Sequence, residues 1–96
     1  MAARILVVDD EAGLREMLGV LLRRAGYEVE LLDGCRAALA RLGQTPAFDL
    51  VITDLAMPDG SGMDLLETIR KQDDAAQVIM ITAYATAEQA VDAMRL

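Results

Sequence analysis

Residues 5–8, "ILVV", are apolar at four consecutive positions and run straight into "DDE". A strand with one face in water alternates apolar and polar side chains, so a strand that is apolar on both sides must be covered on both. A central strand of a parallel sheet, with helices on each face, meets that requirement. Two later runs, "LVI" at 50–52 and "VIMI" at 78–81, carry the same signature. Each run leads within two residues to a side chain bearing oxygen: Asp9, Asp54 and Thr82.

The segments between these runs have helical period. From Gly13 to Ala25 the large apolar residues fall at Leu14, Met17, Leu18, Leu21 and Leu22, one buried face of a helix that Gly26 is placed to end. "YEVELL" alternates polar and apolar residues, the pattern of a more exposed strand. Asp33 is placed to cap a second helix, Gly34 to Leu42, with Ala38, Leu39 and Leu42 inward and Gly43 and Pro46 closing it. "FDLVITD" is a third strand and "LAMPDGSG" the loop after it. A third helix, roughly Met63 to Lys71, buries Met63, Leu65, Leu66 and Ile69. "VIMIT" reads as a fourth buried strand, and Thr86 with Gln89 resembles a capping box opening a fourth helix through "AEQAVDAMRL". Four strand–helix alternations select an α/β fold with a parallel sheet.

Ninety-six residues with a hydrophobic fraction of 54% suit one compact domain, 1–96, without repeat or linker. The chain stops inside a helical pattern with no Gly, Asn or Pro to end it, which reads as a C-terminal truncation. Nine basic residues against 16 acidic ones give a net charge of −7, a poor match to nucleic acid. Cys35 stands alone, so no internal disulfide forms, as suits a reducing cytosol; it reads as a small buried helix side chain. The absence of histidine removes catalytic triads, Cys/His pairs and histidine metal sites. The apolar runs are too short to cross a bilayer, and carboxylates interrupt any signal-peptide core, so the expected location is the cytoplasm.

In open parallel sheets, ligands bind beyond the carboxyl ends of the strands, where successive crossovers leave to opposite sides. With the first strand central, that crevice lies between the first and third strands, where Asp9, Asp10 and Asp54 fall. Adjacent strand residues point to opposite faces, so Asp9 and Asp10 can share a site only where the strand has opened into a loop. Alone, "DDE" suits a solvated, helix-capping loop; with Asp54 beside it, three or four carboxylates need a cation. An all-oxygen donor set with few protein ligands suits Mg²⁺ best. Glu11 reads equally as a helix-start acid or as a member of the site. A carboxylate beside a divalent ion can attack a phosphoryl group, and Thr82 offers a hydroxyl to a phosphoryl oxygen.

Together, "ILVVDDE", "DLVITDLAMPDGSGMDLL" and "VIMITAYATAEQAVDAM" resemble the receiver domain of two-component response regulators, over essentially the whole chain and in the family's order. "ITAYATAEQAV" is most like receivers fused to transcriptional activators of the nitrogen-regulation type. The resemblance implies a flavodoxin-like (CheY-like) parallel sheet, here cut to four strands and four helices in the order 2-1-3-4. It implies Asp54 as phosphoacceptor and a phosphohistidine on a sensor histidine kinase as donor. Mg²⁺ would be held by the side chains of Asp10 and Asp54, the backbone carbonyl of Ala56, and Asp9 through water. Thr82 would be the switch hydroxyl, drawing "AYATAEQ" with it.

The chain departs from the family in lacking a fifth sheet strand, its terminal lysine and a fifth helix. Its one lysine, Lys71, ends the third helix, where a surface role is expected. The fourth strand then becomes an edge, and self-association by edge pairing or strand exchange is expected to fill the slot beside it. Two other functions compete with a phosphorylatable receiver. One is an interaction module that keeps the fold but not the switch. The other is an Mg²⁺-dependent phosphatase with an aspartate nucleophile, as in haloacid-dehalogenase-like enzymes, which want a second aspartate where Ala56 stands.

Overall fold

A computed structural model describes residues 2–44, 48–72 and 77–81. Along the chain run β1 (Arg4–Val8), α1 (Ala12–Arg24), β2 (Glu28–Leu32), α2 (Cys35–Leu42) and β3 (Leu50–Asp54). Then come two short strands, β4 (Ala56–Met57) and β5 (Gly60–Ser61), followed by α3 (Gly62–Gln72) and β6 (Gln77–Ile81). Four strands form one parallel sheet in the order β2-β1-β3-β6, the expected 2-1-3-4 counted over sheet strands. The loop expected at 55–62 contains a small antiparallel hairpin, Ala56 opposite Ser61 and Met57 opposite Gly60. The expected fourth helix, with Thr86 and Gln89, lies outside the described residues, as does Thr82.

The consecutive apolar positions of β1 divide between two cores. Leu6 and Val8 pack with Val51, Cys35, Ala38, Leu65 and Ile69 under α2 and α3. Ile5 and Val7 pack with Ile52, Leu18 and Leu22 under α1. Leu6 and Leu65 are both fully buried, and burial of each side chain contributes about 1.5–3 kcal/mol. Because α1 covers one face and α2 the other, the crossovers part company between β1 and β3, which opens the crevice there.

Helix α1 starts and ends one residue earlier than its periodicity predicts. Gly26, at φ 97°, takes the left-handed conformation just past its end. Its amide donates to Arg23 O at 3.0 Å and Tyr27 N to Leu22 O at 3.2 Å, the paired bonds of a glycine-terminated helix. Two expected inward residues of α1 turn out exposed: Met17 at 50% and Leu21 at 53%. The cause is Gly19, the buried position of the helix, whose missing side chain admits Leu31; a Cβ there would sit 2.9 Å from Leu31 Cδ1. The contact stripe is thereby centred on Leu18, Gly19 and Leu22, turning Met17 and Leu21 outward.

On α2, Ala38 is buried and Leu42 packs against the core, but Leu39 is on the exposed side. Helix α3 buries Leu65, Leu66 and Ile69 as expected, with Met63 half-buried and Lys71 exposed. Strand β6 is the edge of the described sheet, as the expected order 2-1-3-4 requires, and so is not buried as its composition alone suggests: Val78, Met80 and Ile81 are half-buried and Ile79 is 48% exposed.

Candidate metal centre

β1 stops at Val8, so Asp9 and Asp10 leave the strand as a loop, the condition for both to face one site. Asp9 still joins β1 to its neighbour through its amide, which donates to Leu32 O at 3.1 Å. Its carbonyl accepts from Arg15 Nη1 at 2.8 Å, and its Oδ1 accepts from the Glu11 amide at 2.8 Å. The side chain is thus fixed as well as buried. Across the crevice, Asp54 ends β3 half-buried, with Oδ1 accepting from the Ala56 amide at 3.3 Å.

Asp9, Asp10 and Asp54 each bring a carboxylate oxygen within 4.8 Å of the others; Asp9 is buried, Asp54 half-buried and Asp10 exposed. Burial pushes the Asp9 carboxyl above the usual aspartate range, and Asp54, Asp10 and Glu11 push it the same way, against the lowering effect of the Glu11 amide. Such crowding is costly without a cation. The donors are all oxygen, from a cluster open to water on the Asp10 side, and this fits Mg²⁺ with water completing its shell.

The Glu11 carboxylate is engaged by hydrogen bonds to α1. As N-cap of α1, it accepts from Gly13 N at 3.0 Å and Leu14 N at 2.9 Å, which settles its role as a helix-start acid. Asp33, expected to cap α2, does not. The N-cap is Gly34, without a side-chain bond of its own. Asp59, in the hairpin turn 24 residues after Cys35, accepts instead from Cys35 N at 2.9 Å and Arg36 N at 3.0 Å. No local pattern in "MPDGSG" announces this, because the partner amides belong to another element. The Arg36 and Cys35 amides hold the Asp59 carboxyl below the usual range.

The end of the hairpin is equally constrained. A Cβ on Gly62 would lie 2.5 Å from Asp54 O and 3.2 Å from Leu55 Cα. Its amide donates to Leu55 O at 2.8 Å. Glycine is therefore required where α3 begins against the backbone of Asp54. Strand β6 ends at Ile81, the register partner of Asp54.

Residues 5–96 match the family model of the response regulator receiver domain. The chain belongs to that family. It is 42% identical over 95 residues to the response regulator protein FleR of Pseudomonas aeruginosa, covering 99% of this chain and 20% of that protein. Against the DNA-binding transcriptional regulator NtrC of a Bradyrhizobium strain the identity is 45% over 85 residues, 88% of this chain and 18% of that protein. This receiver chain therefore spans about one fifth of these curated relatives. Among solved structures, a CheY-like receiver domain protein from Methanospirillum hungatei superposes with a TM-score of 0.92 at 33% identity, covering 99% of this chain and 75% of that one. TrrA of Thermotoga maritima, solved with Mg²⁺ and a BeF group, gives 0.79 at 41% identity over 88% of this chain and 72% of that one. The nitrogen-regulation affinity read from "ITAYATAEQAV" agrees with the NtrC match. No helix among the described residues is long and apolar enough to cross a membrane.

Proposed function

We propose that this receiver, residues 1–96, takes a phosphoryl group onto Asp54 from a sensor histidine kinase. Asp10 and Asp54 would hold Mg²⁺ through their side chains, Ala56 through its backbone carbonyl and Asp9 through water. The observation that carries this reading is the convergence of the three carboxylates at the β1/β3 crevice. When bound, Mg²⁺ supplies positive charge that offsets repulsion between the carboxylate and the incoming phosphoryl oxygens.

The Ala56 amide restrains Asp54 by its bond to Oδ1. An Asp54 oxygen attacks phosphorus, a P–O bond forms, and the P–N bond of the donor phosphohistidine breaks with its electron pair leaving on the imidazole. These 96 residues contain no histidine, so the phosphohistidine belongs to the donor. Thr82, next after Ile81, would donate its hydroxyl to a phosphoryl oxygen and carry the change into the residues that follow. The domain assists its own phosphorylation and dephosphorylation and works in the cytoplasm as the input of a transcription regulator. An interaction module would not need the acidic crevice, and the phosphatase reading lacks its second aspartate at Ala56.

The exposed Ile79 on the edge of the described sheet supports self-association through β6. One solved relative is an NtrC4 receiver domain dimer, activated with beryllofluoride. Sedimentation should show dimers at micromolar concentration; a well-folded monomer at high micromolar concentration removes this part of the proposal. The phosphoacceptor itself is tested by intact mass after incubation with a small acyl-phosphate donor and Mg²⁺. The chain should gain one phosphoryl group and Asp54→Asn none; uptake by that variant would refute the assignment.

A further inference from the structure

Asp59 is exposed, lies outside the carboxylate cluster, and yet makes a two-pronged bond to another element. Its Oδ1 and Oδ2 take the first two amides of α2, Cys35 N at 2.9 Å and Arg36 N at 3.0 Å. The approach is close enough that a Cβ on Gly34 would lie 2.9 Å from Oδ2. Next along the chain, at the start of β5, Gly60 packs so tightly on α2 that a Cβ there would meet Cys35 Sγ at 2.6 Å, and Cys35 Sγ donates to Ser61 O at 3.7 Å. The hairpin is therefore seated on the start of α2 by Asp59 in the turn and by Gly60 and Ser61 in β5.

The same hairpin carries Ala56. Ala56 pairs with Ser61, Met57 with Gly60, and the Gly62 amide closes the loop on Leu55 O at 2.8 Å. The backbone at Ala56 is thus held between Asp54 on one side and the α2 contact on the other. We propose that Asp59 is a positioning residue for the metal centre: by anchoring the β4–β5 hairpin to α2 it fixes the Ala56 carbonyl as a ligand. This inference rests on the Mg²⁺ reading above.

A residue that served only to cap α2 would lower stability when removed and leave the folded chain's metal affinity unchanged. A positioning residue behaves as outer-shell partners of metal ligands do, whose loss weakens binding by about tenfold or more. Coupling is also reciprocal, so Mg²⁺ must tighten the contact by the same factor that the contact tightens Mg²⁺. The experiment is calorimetric titration of Mg²⁺ into wild type, Asp59→Ala, Asp59→Asn and Asp33→Asn, with amide hydrogen exchange at Cys35 and Arg36 with and without Mg²⁺. Asp59→Ala should bind about tenfold more weakly, and Asp59→Asn should show a smaller loss in the same direction. Asp33→Asn, which removes an exposed charge two residues before Cys35, should match wild type. Mg²⁺ should slow exchange at Cys35 and Arg36 in wild type. Should Asp59→Ala fail to fold, the Asp59→Asn affinity and the wild-type exchange decide the matter. If wild type binds Mg²⁺ while Asp59→Asn binds equally well and exchange is unmoved, Asp59 is a cap alone. If wild type binds no Mg²⁺, the metal reading fails and this inference with it.

Discussion

Replacing Asp9 by Asn should stabilise the metal-free domain and remove much of the stabilisation that Mg²⁺ provides. Asp9 is only 3% exposed, and an oxygen of each of two other aspartates lies within 4.8 Å of one of its own. At that separation two unit charges repel by about 3.5 kcal/mol at an effective dielectric constant of 20 and about 0.9 in water. Asp10 is exposed and Asp54 half-buried, so solvent screening brings each pair to about 1 kcal/mol. Asn keeps the Oδ1 that accepts the Glu11 amide at 2.8 Å. Its new amide group costs about 1 kcal/mol if left without a partner. The net gain is about 1 kcal/mol, or roughly 4–8 °C in melting temperature for a domain of this size. Mg²⁺ at a hundredfold excess over its dissociation constant stabilises wild type by about 2.7 kcal/mol, and the variant, with a weakened site, gains less. Thermal unfolding followed by circular dichroism should put Asp9→Asn above wild type in EDTA and below it in saturating Mg²⁺. A variant that melts below wild type in EDTA would show that the crowding of these carboxylates is not a cost to the fold.

Glu11→Ala should cost about 1 kcal/mol, the usual value of an N-cap, yet leave Mg²⁺ affinity within about twofold; denaturant unfolding and calorimetry check the two halves, and a large loss of affinity would return Glu11 to the site. Stability against pH in EDTA should show two opposed effects. The raised carboxyl of Asp9 is a cost when ionised, so that cost is present above its folded pKa and is relieved as pH falls through it. Asp59, held low, contributes above the ordinary value of about 3.9 and loses its contribution as pH falls through its own lower pKa. Melting curves should therefore lose the first change in Asp9→Asn and the second in Asp59→Asn. Gly62→Ala should destabilise by about 1–3 kcal/mol, since its Cβ overlaps the backbone of Asp54 and Leu55, and should slow phosphoryl uptake as well; uptake at the wild-type rate would show that the Asp54 backbone does not depend on this contact.

Much of this arrangement is legible in the sequence because it follows from local rules. The consecutive apolar residues of "ILVV" require two covered faces, and Leu6 and Val7 do go to opposite cores. The change from "ILVV" to "DDE" marks where β1 opens, which lets Asp9 and Asp10 share a site. What the pattern misses depends on contacts between elements. Gly19 rotates α1 by admitting Leu31, so the helical spacing of Met17 and Leu21 predicts burial that the packing does not give. Asp33 has the composition and position of a cap, but Asp59 occupies the amides it would have used. "VIMI" has the hydropathy of a central strand, and its place at the edge of the described sheet is legible only from the family's strand order, because strand composition does not report which neighbours are present.

The central claim is that Asp9, Asp10 and Asp54 form one Mg²⁺-dependent phosphoacceptor centre. The most direct measurement is peptide-mapped phosphoryl incorporation from an acyl-phosphate donor, with Mg²⁺ and with EDTA, in wild type and Asp10→Asn. Label should appear on the peptide carrying Asp54, in wild type only and with Mg²⁺ only. Equal labelling in EDTA, or label on another peptide, would contradict it.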